Sequence, residues 1–232
     1  MTVCIQMTHS HCLSWNIRIL TNFLLSVCVA NQGSCLSPPP SGSKLVAVAL
    51  GVGTQNYTCS SSTAAPTPNG AFAILYDISC TVATVPSAAH YLSALALKAD
   101  VFTDYPIRSS MGYTTIGIHY FEPSTKSAVF EFDLNNKSYK FIGRRLENIP
   151  APNQAAEGSV DWLKLGRTPG FERQSHNVKV GKIPVYIGIQ FKFLTSMQKW
   201  VYRVLTAGGK APNTCEGLPK EYTVNYATEY CE

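Results

Sequence analysis

A chain of 232 residues is long enough to bury a core of its own and requires no second domain. Only 14% of it is charged, and 12 Tyr, 10 Phe, 16 Gly and 14 Pro suit short strands joined by many turns better than long helices. The formal net charge of +5 is scattered, Arg144-Arg145 being its densest run, so the footprint of a nucleic-acid-binding protein is missing and no nucleic-acid partner is expected.

At the start, Arg18 is the only charged residue before Lys44, and Ile19 to Ala30 is an apolar run of secretory length, too short to span a bilayer. Residues 1–34 therefore read as a signal peptide whose removal leaves no stable membrane span. Residues 35–43, with Leu36-Ser-Pro-Pro-Pro-Ser-Gly-Ser43, read as a flexible or polyproline leader into one β-rich domain over 44–232. Within that domain Lys44 to Leu50 predicts a strand, and Gly51-Val-Gly53 a bend before Gln55-Asn-Tyr-Thr-Cys59, giving a hairpin or a bulged strand. Ser60 to Gly70 predicts a loop, and Ala71 to Asp77 a strand with Phe72, Ile74 and Tyr76 on one face. Ala88 to Lys98 is the best helix, its Tyr91, Leu92, Leu95 and Leu97 spaced for an amphipathic turn or two.

Thr114 to Phe121 and Ala128 to Leu134 alternate and are joined by turn residues, so they predict an antiparallel pair. Further strands are predicted over Ser138–Arg144, Val160–Leu165, Val201–Thr206 and Glu221–Tyr230. Many strands at short intervals, with no helix repeating between them, predict an all-β, mainly antiparallel domain with at most one or two short helices: a sandwich first, a closed barrel as the alternative.

Chemical motifs are few. Gly51-Val-Gly-Thr54 lacks the third glycine, the following helix and the acidic residue that a dinucleotide site requires, so no nicotinamide cofactor is expected. No Gly-x-Ser-x-Gly elbow, His-Glu-x-x-His helix or phosphate loop occurs in the chain. His119 would serve as an acid, base or ligand only with a partner such as Asp77 or Asp161; the plainer reading is a hydrogen-bonded strand histidine. Tyr57, Tyr120, Tyr202 and Trp162 would line a sugar-stacking groove or serve as core, and Trp162 sits in the sheet-like Val160-Asp-Trp-Leu-Lys-Leu165. Arg203 reads as an outward or paired strand residue rather than an anion clamp.

Once the first 34 residues are set aside, Cys59, Cys80, Cys215 and Cys231 lack the close pairs of a zinc site, so no metal is expected. In an oxidising compartment they read as disulfide partners with three possible connectivities. Asn56-Tyr-Thr58 and Asn136-Lys-Ser138 are N-glycosylation sequons that agree with a secretory route.

Ala49 to Cys59, Trp162-Leu-Lys-Leu165 and Val201 to Cys215 together resemble a largely fungal secreted family, domain of unknown function 3455, whose members are often labelled malate dehydrogenase. The resemblance spans Lys44 to Tyr230 and implies a compact β-rich secreted domain with Cys59 bonded to Cys215. Val180 to Gln198 departs from it as an atypical insertion, read here as a retained intron because Gly181-Lys182 is encodable across a splice donor. The ending Glu229-Tyr-Cys-Glu232 departs too. Because aromatic residues and turns are present and no nucleophile, metal cluster or cofactor loop is recognisable, the leading expectation is an extracellular binding protein. Its partner would be a cell-wall polysaccharide or a host surface component, with Tyr57, His119, Tyr120 and Trp162 as contacts. A secreted enzyme without a familiar motif and a structural wall protein are the alternatives.

Overall fold

The computed structural model describes residues 36–40, 43, 45–98, 112–152, 155, 158–169 and 200–231. The signal-like segment and the insertion at 180–198 lie outside the described residues. Eight strands run through the rest: β1 (Val48–Thr58), β2 (Thr67–Asp77), β3 (Thr115–Phe121), β4 (Ala128–Leu134), β5 (Lys137–Ile149), β6 (Trp162–Arg167), β7 (Trp200–Gly208) and β8 (Glu221–Cys231). Two short helices, α1 (Ser79–Thr84) and α2 (Ala89–Lys98), follow β2. Each strand pairs antiparallel with the next, and β1 also pairs with β8 from Val48–Cys231 to Thr58–Glu221. Of the two all-β architectures expected, the closed barrel is the one found. A sandwich would leave edge strands, whereas here both edges of β1 are hydrogen-bonded along its length.

Alternation sorts the wall into two apolar faces. Inside, Ala49, Leu75, Phe130, Phe132, Phe141, Leu165, Val201 and Tyr230 fill the barrel. Outside, Val48, Leu50, Val52, Tyr76, Trp162, Tyr202 and Val204 form a second core with Val82 of α1 and Ala89, Leu92 and Ala96 of α2. Both faces of this part of the wall are dry, which is why its strands read as nearly continuous apolar runs. Each fully buried Phe or Leu there contributes roughly 1.5–3 kcal/mol.

The elements depart from their predicted bounds for local reasons. β1 is one continuous strand, with a register shift against β2 between Gln55 and Tyr57 in place of a hairpin. β2 starts at Thr67 because Pro68, which has no N–H, sits opposite Tyr57 where the ladder is already interrupted. The β4–β5 turn is a two-residue Asn135-Asn136 loop with both φ values positive, 51° and 59°, the backbone that matches strand twist. On α2 the buried face is Ala89, Leu92, Ser93 and Ala96, while Tyr91 and Leu95 are exposed, so the small residues rather than the large ones set the close approach to the barrel.

The leader is tied to the barrel at its start. Leu36 is buried in the outer core. The Ser37 N–H donates to Glu147 Oε2 at 2.7 Å, while the Ser37 carbonyl accepts from Lys164 Nζ and Tyr202 Oη, both at 3.0 Å. Lys164 closes the clamp with a 3.2 Å ion pair to Glu147.

Candidate functional site

The connections β1–β2, β3–β4, β5–β6 and β7–β8 gather at one end of the barrel. Cys59 and Cys215 are disulfide-bonded there, joining the first of these loops to the last across a sequence separation of 156, and the Cys215 N–H donates to the Ala64 carbonyl. Cys80 is also disulfide-bonded, and Cys231 is a buried thiol.

Beneath that stapled end the inward positions change from apolar to polar. His119 lies flat on Phe130 with ring centroids 4.2 Å apart, and Tyr230 meets both rings edge-on. His119 Nδ1 is 2.8 Å from the Val129 carbonyl; a carbonyl only accepts, so Nδ1 carries the proton and Nε2 is the acceptor. Burial is the main reason its pKa falls to about 4, with Arg203 adding to the shift and the Val129 bond opposing it, so the ring is neutral at physiological pH.

Tyr230 and Tyr226 share a hydroxyl–hydroxyl hydrogen bond of 3.0 Å. Directly across the β7–β8 ladder from Tyr230 stands Arg203, on the same inward face as Val201. Its Nε and Nη2 both donate to the Asp161 carbonyl, at 3.2 and 2.7 Å. The Asp161 carboxylate itself turns to Asn148 Nδ2 at 2.8 Å. Gly209 is the hub of this end. Its carbonyl accepts from Tyr57 Oη at 2.7 Å, and a Cβ added there would meet Tyr226, Val160 and Gln55. The Gln55 side chain interacts with the Tyr226 hydroxyl, its Nε2 lying outside ordinary hydrogen-bond geometry. Tyr57 and Tyr222 stack at 5.5 Å, and the Tyr222 hydroxyl is without a partner. Burial raises the pKa of Tyr57, Tyr222 and Tyr226 above the ordinary phenol value, so all three are protonated donors at neutral pH.

The four predicted contacts divide between the two faces. Tyr57 and His119 point into the barrel at this end. Tyr120 stands on the outer wall, donating to Glu131 Oε1 at 3.1 Å beside a Glu131–Lys140 ion pair, and its pKa is pushed up to about 12 by burial and then by Glu131. Trp162 also faces outward, 4% exposed in the core beneath the helices. Neither carboxylate considered for His119 is bonded to it: Asp77 Oδ1 accepts from the Ser79 N–H at the opposite end, and Asp161 is engaged as above. Of the sequons, Asn136 is exposed in the β4–β5 turn, whereas Asn56 is half-buried in β1 with Oδ1 accepting from Thr54 Oγ1. Among the described residues no group of three or more potential metal ligands occurs.

Sequence reasoning missed Gln55, Tyr222 and Tyr226 and read Arg203 as an outward or paired residue. The available signal was the period of two through Tyr222, Val224, Tyr226, Thr228 and Tyr230, which puts three tyrosines on one face of β8.

A family model described as "Protein of unknown function (DUF3455)" matches residues 40–231. No curated protein and no solved structure matches the chain.

Proposed function

We propose that this chain, which belongs to the DUF3455 family, is a secreted binding protein that engages a carbohydrate of the cell wall or of a host surface at the disulfide end of its barrel. The observation that carries this reading is the concentration of aromatic and hydrogen-bonding side chains at that end, with the Tyr57–Tyr222 stack and the donors of Gln55 and Tyr222 that lack an acceptor of ordinary geometry. Tyrosines supply flat apolar area with a polar tip, the combination that sugar rings select. The disulfide supports an oxidising compartment. Catalysis is the weaker reading because His119 is neutral, packed between aromatic rings and bonded to a backbone carbonyl rather than to a carboxylate.

The test is a polysaccharide-binding screen on protein recovered from culture medium, followed by Tyr222→Ala at the candidate mouth and Tyr120→Ala on the outer wall. Saturable binding that Tyr222→Ala weakens by about tenfold or more, and Tyr120→Ala leaves within about twofold, is the expected result. Absence of saturable binding to every polymer, or turnover of a substrate that His119→Ala abolishes, would overturn the reading.

A further inference from the structure

At the disulfide end two buried donors lack an acceptor of ordinary geometry. A guanidinium carries five N–H donors, and Arg203 commits two of them to the Asp161 carbonyl, leaving three. Among the described residues it forms no ion pair, since the Asp161 carboxylate is turned to Asn148. Its cross-strand neighbour on the inward face is Tyr230, bonded to Tyr226, and Tyr226 packs with Gln55 around Gly209. Gln55 Nε2 and Tyr222 Oη, both buried, add N–H and O–H donors without acceptors of ordinary geometry. The same positive charge reaches Tyr57, His119 and Tyr226, adding to the fall that burial causes at His119 and opposing the rise that burial causes at the two tyrosines.

Buried donors are normally satisfied, and leaving one unmet costs about 1–3 kcal/mol. A group that accepts from several donors and brings one negative charge would satisfy Gln55 and Tyr222 and pair the half-buried Arg203. We infer that the disulfide end of the barrel binds the carboxylate of an acidic ligand, with Arg203 holding the charge and Gln55 and Tyr222 as neutral donors. A carboxylate fits better than a phosphate because, among the described residues, no helix N-terminus or run of backbone N–H groups faces this end, the features phosphate sites add. The proposal rests on the binding reading above and narrows it: the carboxylate belongs either to a uronic-acid unit of a polysaccharide or to a free organic acid.

The test is isothermal titration of the secreted chain with oligogalacturonate, with its methyl ester, with benzoate, and with a neutral glucan oligosaccharide. Binding of an acid, weakened about 10- to 100-fold by esterification and to the same extent in Arg203→Met, is the expected result, with Arg203→Lys intermediate. Should Arg203→Met fail to fold by circular dichroism, the wild-type comparison of acid with ester, and the loss of affinity with added salt, decide the question. Acid and ester bound alike, a folded Arg203→Met binding the acid as wild type does, or no binding of either acid would overturn it. Equal binding of the neutral oligosaccharide and the uronate refutes the carboxylate and leaves the carbohydrate reading standing. Binding of benzoate with no saccharide bound refutes the carbohydrate and upholds the carboxylate.

Discussion

Glu229 is a fully buried carboxyl without a hydrogen-bond partner. It is 0% exposed, lies on the outward face of β8 opposite Leu50 and Val204, and neither carboxylate oxygen has a partner. Burial raises its pKa well above the ordinary carboxyl value, so the folded protein holds it neutral. With a folded-state pKa above the unfolded one, stability is complete below the unfolded pKa and declines as pH rises toward the folded pKa. Glu229→Gln is therefore expected to flatten that decline and, by keeping the shape while removing the charge, to raise stability at pH 8 by about 1–3 kcal/mol. Urea unfolding of both proteins at pH 5 and pH 8 checks this; equal differences at the two pH values would show that the carboxyl is satisfied in solution. The sequence places Glu229 in a strand but cannot say that its outward face is covered, because α2 comes from more than 100 residues upstream. His119 was legible for the opposite reason. Gly117-Ile-His-Tyr-Phe121 alternates within one hairpin, so the plain strand-histidine reading depended on local pattern alone.

At the scale of elements, local pattern was readable and long-range contact was not. β3 and β4 fall within a residue of their predicted bounds because the two strands form one hairpin with its turn residues between them. The leader shows the limit of that reading. Three prolines and three serines in Leu36 to Ser43 suggest a free segment, yet Leu36 is buried and Ser37 is clamped by Glu147, Lys164 and Tyr202 from three different strands. Burial alone would raise the Glu147 pKa; the hydrogen bonds from Ser37 and Lys164 outweigh it and hold the carboxyl below its usual range. A depressed folded-state pKa means that this contribution is present above the unfolded pKa and is lost as pH falls through the folded one. The Ser37 amide is accordingly expected to be protected from hydrogen exchange at pH 7 and to lose protection in acid, whereas Glu147→Gln lowers its protection at pH 7 as well. Unchanged protection in the variant would mean that Leu36 packing alone docks the leader.

The whole molecule is decided by one pairing that no local signal announces, that of β1 with β8. Strand content was evident from alternation, but sandwich and barrel differ in whether the first strand meets the last, and that depends on how tightly the sheet coils. The inward glycines of β1 permit the coiling. At Gly53 a Cβ would collide with the Phe72 carbonyl and with Ala73 Cα, and at Gly51 with the Tyr230 ring. Any side chain at Gly53 would push β2 away from β1, and β1 could not then stay in register with Tyr226 of β8 on its other side. Gly53→Ala is thus expected to cost about 3 kcal/mol or more, comparable to forcing excess volume into a packed core, and to lower Tm by about 10 °C. Gly217 supplies the contrast, because it has a φ of 73° but no atom within 4 Å of its added Cβ. Gly217→Asn, with a residue that tolerates that backbone, is expected to cost under about 1 kcal/mol. Thermal unfolding of the two variants separates the demand for space in a strand from the demand for a turn conformation. A Gly53→Ala protein as stable as wild type would mean that the β1–β2 ladder relaxes without opening the seam, and that closure rests on the β1–β8 register alone.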